Sequence, residues 1–245
     1  MASAAVRSLE TLLQTRNLGS ALPAMAAPPR RLATGWLAVD HRLGGGWSLG
    51  ALSEVVGASS SGRTHLLLAT LAQATRQGQV VALVDALDRF DPATAAAAGV
   101  CLDRVLWVRG APVMVEQARP GVIEQAVKQA VRAGDQILRA GGFAVVALDL
   151  RDIPARCLQA LPSITWLRLA QVVEPQDTVA LLLADAPVGR SARGVSVLLE
   201  GRAVWQGDQV QSRRLAGFQP SWVVRSATGV TTGEASRRTA WEGAC

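Results

Sequence analysis

Apolar residues in this chain fall into short, nearly unbroken runs that alternate with longer stretches in which they recur every three or four positions. LSEVV before Gly57, QVVALVD ending at Asp85, RVLWV around Trp107, FAVVALD ending at Asp149 and TVALLLAD ending at Asp185 have the β-branched, mostly uncharged composition of buried strands. Between them, the Leu-rich segment from Thr64 to Gln77 and the segment from about Val113 to Arg139, stopped by Gly141 and Gly142, have helical length. Pro154 lies near the start of a further helix, and Pro162 opens another that runs to about Val173. This alternation is that of βαβ units, so it predicts an α/β fold with a mainly parallel, twisted sheet flanked by helices. Beyond Arg193 the rhythm changes: VSVLLEGRAVWQ is predicted as two strands around Glu200 and Gly201, an antiparallel hairpin at one sheet edge.

The ends of the chain are patterned differently. Val6, Leu9, Leu12 and Leu13 stand at helical spacing, and the Ala/Pro stretch around Pro23, Pro28 and Pro29 is one that no helix can cross. Residues 1–32 are therefore expected to form an amphipathic arm on a linker, which either folds back on the core or docks on a partner or a second copy. Residues 33–226 are expected to be the core, and 227–245, with little periodicity among Thr, Gly, Ser and Arg, a disordered tail. No apolar run approaches the roughly 18–20 residues that span a bilayer, and Glu10 interrupts the N-terminal apolar stretch. A cytoplasmic protein with no membrane partner is expected.

With 49% hydrophobic and 18% charged residues, the composition is that of a folded chain with a sizeable core. Cys101, Cys157 and Cys245 are odd in number and widely spaced, and His41 and His65 do not cluster, so neither a disulfide framework nor zinc is expected. A net charge of +6, with Lys128 the only lysine, has two readings: attraction to an anionic partner such as DNA, or a GC-rich coding bias toward arginine.

The strongest chemical signal is GASSSGRT, from Gly57 to Thr64, which lies between a predicted strand and a predicted helix as a Walker A phosphate loop must. Gly57, Ser60, Ser61, Gly62, Arg63, Thr64 and His65 are expected to surround the phosphates of ATP or ADP, because loop N–H groups and the helix N-terminus both favour an anion there. Thr64 stands where a magnesium-binding hydroxyl belongs, and Asp149, ending an apolar strand, is the candidate second ligand. The alternative for Asp149 is a helix cap or a partner for Arg151. Arg63 stands where the motif has lysine, and its broad planar guanidinium replaces a compact ammonium, so nucleotide binding is expected to be weak or vestigial.

The run from Ala33 to Leu68, with Thr34, Gly35, Asp40 and Gly44 to Gly46 in order, resembles the opening of the RecA core. The likeness continues through Val81 to Val108, and more faintly to Asp149 and to the strands near Leu182 and Val197. The resemblance implies a RecA-like P-loop fold. It also implies a catalytic glutamate two positions beyond Asp85, where this chain has Leu87, a residue that cannot orient water, so no catalytic residue is assigned; Asp88 is its neighbour. The family's second DNA-binding loop corresponds to Ala186 to Gly194, which is short and offers Arg190 and Arg193 as weak phosphate contacts.

A RecA core with two active-site departures, a helical arm and no large C-terminal domain is similar to the ImuA, or SulA-like, branch of the family. That likeness implies an adaptor in damage-induced, SOS-linked mutagenic translesion synthesis, with an ImuB-like polymerase homologue as partner, contacts to RecA, and self-association through Val6, Leu9, Leu12 and Leu13. The competing reading is an active DNA-dependent ATPase of the recombinase class, with Arg63 and Asp88 in the usual roles. A circadian- or flagellar-type regulator fits less well, given the continuous match from Ala33 to Val108.

Overall fold

The structure is a computed structural model and describes residues 30–119, 121–207, 214–226 and 229–234. The arm residues Val6, Leu9, Leu12 and Leu13 lie outside the described residues.

Ten strands and six helices are described. Strand β1 (Arg31–Leu32) pairs antiparallel with β2 (Trp47–Ser48), and α1 (Leu37–Leu43) lies between them in sequence. The remaining strands are β3 (Ala51–Gly57), β4 (Val81–Asp85), β5 (Val105–Arg109), β6 (Val145–Asp149), β7 (Val179–Ala184), β8 (Ser196–Gln206), β9 (Arg214–Ser226) and β10 (Gly229–Glu234). They form one eight-stranded sheet in the order β10-β9-β8-β3-β7-β6-β4-β5. From β8 to β5 every neighbouring pair is parallel; β9 and β10 are antiparallel additions at one edge. The helices are α2 (Arg63–Arg76), α3 (Pro92–Ala97), α4 (Val122–Ala140), α5 (Ala155–Gln159) and α6 (Ser163–Val173).

Alternation along each strand sorts its side chains to two apolar layers. Val81 and Leu83, Val145 and Ala147, and Val179, Leu181 and Leu183 pack with Val39 of α1 and Leu66, Leu67 and Leu71 of α2. Their neighbours Ala82 and Val84, Val146 and Leu148, and Ala180 and Leu182 pack with Val127 of α4 and Trp166 and Leu169 of α6. Because both faces are covered, these strands carry no polar alternation, which is why they read as unbroken apolar runs.

The segment before β2 is tied to α2 through its Thr-Gly pair. Thr34 donates its N–H to Asp40 Oδ1 at 2.6 Å, so the aspartate six residues on closes the turn. A Cβ on Gly35 would stand 2.7 Å from the Ala69 carbonyl, closer than any side chain permits.

Three expectations are corrected. The helix placed from about Val113 begins only at Val122, with a 3-10 turn at Val115–Gln117 before it. Pro120 explains the late start, since a helix interior cannot accommodate a proline ring and its missing N–H. Glu200 and Gly201 do not turn: they lie inside the single 11-residue strand β8, where Gly201 faces Pro220 of β9, and the hairpin is β8–β9. Residues 229–234, expected to be part of a disordered tail, form β10, with Val230, Thr231 and Thr232 supplying β-branched residues opposite Arg225, Val224 and Val223.

Candidate functional site

The sheet order brings the C-terminal ends of β3, β4, β6 and β7 to one edge, the place where open parallel sheets bind ligands. Buried along its length, β3 delivers Gly57 to this edge, where an added Cβ would meet Leu199 O and Ser61 Oγ, each at 2.5 Å. Ser61 donates its N–H to Ala58 O at 3.1 Å, and left-handed backbone at Ser60 (φ 61°) and Gly62 (φ 100°) turns the chain into α2. The first turn of α2 holds no acidic residue to offset its positive end. Ser61 Oγ is buried inside this loop without a hydrogen-bond partner. His65 is an exposed residue whose ring leans on Trp36, with ring centroids 5.3 Å apart, and partial desolvation pulls its pKa below the ordinary 6.5.

Two arginines set the electrostatics of the loop. Arg63 is buried at the start of α2 and forms an ion pair with Asp185, just beyond β7, whose side chain is 42% exposed. Arg151, two residues beyond β6, donates from Nε to Asp149 Oδ1 at 2.7 Å, from Nη2 to Asp149 Oδ2, and from Nη1 to Thr64 Oγ1. Its guanidinium therefore bridges the loop hydroxyl and the strand-end carboxylate. Burial opposes that charge but is outweighed by the hydrogen bonds and charge of Asp149, with Asp152 and Asp85 behind, and the Arg151 pKa is raised. Asp185 also accepts from the Asp152 N–H at 3.1 Å, so the loops after β6 and β7 are joined.

Thr64 and Asp149 carry the oxygen donors a magnesium ion uses in such a loop. The cation between them is a fixed guanidinium, however, and with Arg151 in this position the residues do not fit the ion.

Leu87 is 2% exposed and belongs to the apolar layer shared with α4. Asp88, at φ 59°, gives one carboxylate oxygen to Arg109 Nε at 2.9 Å and the other to Arg109 Nη2 at 2.8 Å; hydrogen bonding and then the charge of Arg109 hold its pKa below the ordinary range. Arg109 in turn lies 4.5 Å over the Trp107 ring. Asp85 caps its own turn, accepting from the N–H groups of Arg89 and Phe90, each at 2.8 Å. Each carboxylate after β4 is thus committed to a structural partner.

The segment from Ala186 to Gly194 is fastened to β3. Glu54, buried on that strand, accepts from the N–H groups of Val188 at 2.8 Å and Gly189 at 3.0 Å and from Ser196 Oγ. Ser191 donates its N–H to Leu52 O at 2.9 Å. Arg190 reaches back to Gly194 O at 3.3 Å, while Arg193 is exposed. A cavity of about 770 Å³ lies at the opposite edge of the sheet, among Gly78, Phe143 and Thr178, and holds none of these groups.

The structure thus brings Gly57, Ser60, Ser61, Gly62, Arg63, Thr64 and His65 together around one loop, with Asp149 held to Thr64 through Arg151. The Asp149–Arg151 contact was open as an alternative in the sequence. The Arg63–Asp185 pair, 122 residues apart, and the Glu54 contacts had no sequence signal beyond the position of Asp185 at a strand end and of Glu54 inside an apolar run.

A family model described as the RecA N-terminal domain matches residues 24–149. Among curated proteins, Protein RecA of Methylococcus capsulatus is 40% identical over 119 residues, which are 48% of this chain and 30% of the relative. Protein RecA of Chlorobaculum parvum is 34% identical over 121 residues, 49% of this chain and 31% of the relative. The match thus spans about a third of the length of these relatives. No helix among the described residues is long and apolar enough to cross a membrane. Because the family match covers just over half the chain and ends on Asp149, at the strand end that faces the phosphate loop, the chain belongs to the RecA family.

Proposed function

We propose that this RecA-family chain is an ImuA-type adaptor in DNA-damage-induced translesion synthesis, acting in the cytoplasm through contacts with an ImuB-like polymerase homologue and with RecA, and that its ATP hydrolysis is lost. The observation that carries the loss of hydrolysis is the guanidinium of Arg151 between Thr64 and Asp149. Two further features support it. Leu87 is buried apolar where the resemblance implies a glutamate, and Asp88, the one neighbour that could replace it, spends both oxygens on Arg109. The reading as an active DNA-dependent ATPase requires Asp88 to orient water and Arg63 to reach a phosphate, whereas Arg63 is paired with Asp185. The adaptor role rests on the resemblance to the ImuA branch together with this loss.

Steady-state ATPase assays with and without single-stranded DNA test the catalytic half. The expected turnover is at least about three orders of magnitude below a RecA control, since an absent base and a misplaced phosphate cation each typically cost about 10²-fold or more. Arg63→Lys is expected not to restore it. DNA-stimulated turnover near the control, or rescue by that single change, overturns the reading. Co-purification of the ImuB-like polymerase with the full chain from damaged cells, reduced when residues 1–32 are removed, tests the adaptor half.

A further inference from the structure

We infer that Arg151 is the resident cation of the phosphate loop, and that the loop binds the phosphates of a nucleoside di- or triphosphate without a divalent metal ion. The inference goes beyond the loss of hydrolysis, which says nothing about whether or how nucleotide is held.

Three observations meet here. The first is the bridge itself: a cation that is part of the chain contacts the hydroxyl and the carboxylate between which the motif ordinarily holds magnesium. A second positive ion at that point meets guanidinium repulsion, and it must share Asp149, both of whose oxygens already accept from Arg151. The second is spare capacity. A guanidinium has five N–H donors; Asp149 and Thr64 engage three of them, and the two that remain can serve a phosphate oxygen in charge-assisted hydrogen bonds. The third is independent of Arg151. Ser61 is 4% exposed inside the loop, and its buried Oγ has no partner, although nearly all buried hydroxyls have one. It lies over Gly57, whose missing Cβ keeps the floor of the loop open, beside a helix start with no acidic residue to compete for an anion.

The test is calorimetric titration of the full chain with ADP and with ATP, in excess magnesium and in EDTA. Binding is expected to be at least as tight in EDTA as in magnesium. Arg151→Ala removes the resident cation and frees Thr64 and Asp149, so its affinity in EDTA is expected to fall by about tenfold or more, the usual worth of a charged hydrogen bond, and magnesium is expected to restore part of it. Arg151→Lys keeps a positive charge and is expected to keep metal independence; it serves as the readout if the alanine variant does not fold. A wild-type chain that binds only with magnesium, or binds neither nucleotide, overturns the inference. So does an Arg151→Ala chain that binds in EDTA as the wild type does, or an Arg151→Lys chain that requires magnesium. These outcomes are separate from turnover: the chain can be inactive as an ATPase and still fail this test.

Discussion

At the scale of single residues, this site is governed by pairs in which each charge already has its partner: Arg63 with Asp185, Arg151 with Asp149, and Arg109 with Asp88. His65 differs in that its neighbour is the Trp36 ring and its shift comes from partial desolvation of an otherwise exposed residue. Its pKa in the folded chain lies below 6.5, so between that value and 6.5 the unfolded chain binds a proton that the folded chain does not, and stability rises with pH across this window. Trp36→Ala opens the ring to water and is expected to move the His65 pKa upward toward 6.5, as read from the imidazole resonances in an NMR titration. A pKa that stays put or falls would show that the desolvation comes from elsewhere. Only part of this level was legible in the sequence. The loop Gly57 to Thr64 announces itself because all its residues are contiguous, whereas Arg63 and Asp185 meet across 122 residues and neither carries a mark of the other.

At the scale of elements, strand ends were the most legible feature, since Asp85 and Asp149 both terminate uninterrupted apolar runs and both end strands in the structure. Gly201 misled because Glu-Gly looks like a tight turn, but its backbone stays extended and the antiparallel register continues through it to Pro220. Pro120 is the residue in the sequence that marks the late start of α4. The segment from Ala186 to Gly194 is fastened to β3 by backbone and side-chain hydrogen bonds, and Gly194 is where its fit is tightest. A Cβ there would stand 1.8 Å from the Leu52 carbonyl, on the backbone of β3, which has no freedom to yield. Gly194→Ala is therefore expected to destabilise the fold by about 1–3 kcal/mol, the usual cost of forcing a group into packed structure, measured by urea denaturation. A loss below about 0.5 kcal/mol, typical of an unconstrained surface position, would mean the segment is not held as described.

For the molecule as a whole, the charge of +6 and the two arginines of the 186–194 segment invite DNA, but one of those arginines is turned back on its own loop. Binding to single-stranded DNA is accordingly expected to be weak and independent of sequence, with a slope of log affinity against log salt no steeper than about −1.4, the value for two phosphate contacts. A tight complex that survives high salt, or a much steeper slope, would require a larger basic surface than Arg190 and Arg193 supply. The sheet order carries a further consequence, this time for the order of assembly. The strand that presents the phosphate loop, β3, pairs only with β7 and β8, which begin at Val179 and Ser196. The region shared with the RecA N-terminal domain ends at residue 149, so within it β3 has no neighbour on either side. During synthesis the loop segment therefore emerges long before anything can hold its strand in place, and the contacts that do so close over 134 and 142 residues of chain. Such closures are slow, so the phosphate loop, although encoded early, is expected to be ordered late in folding.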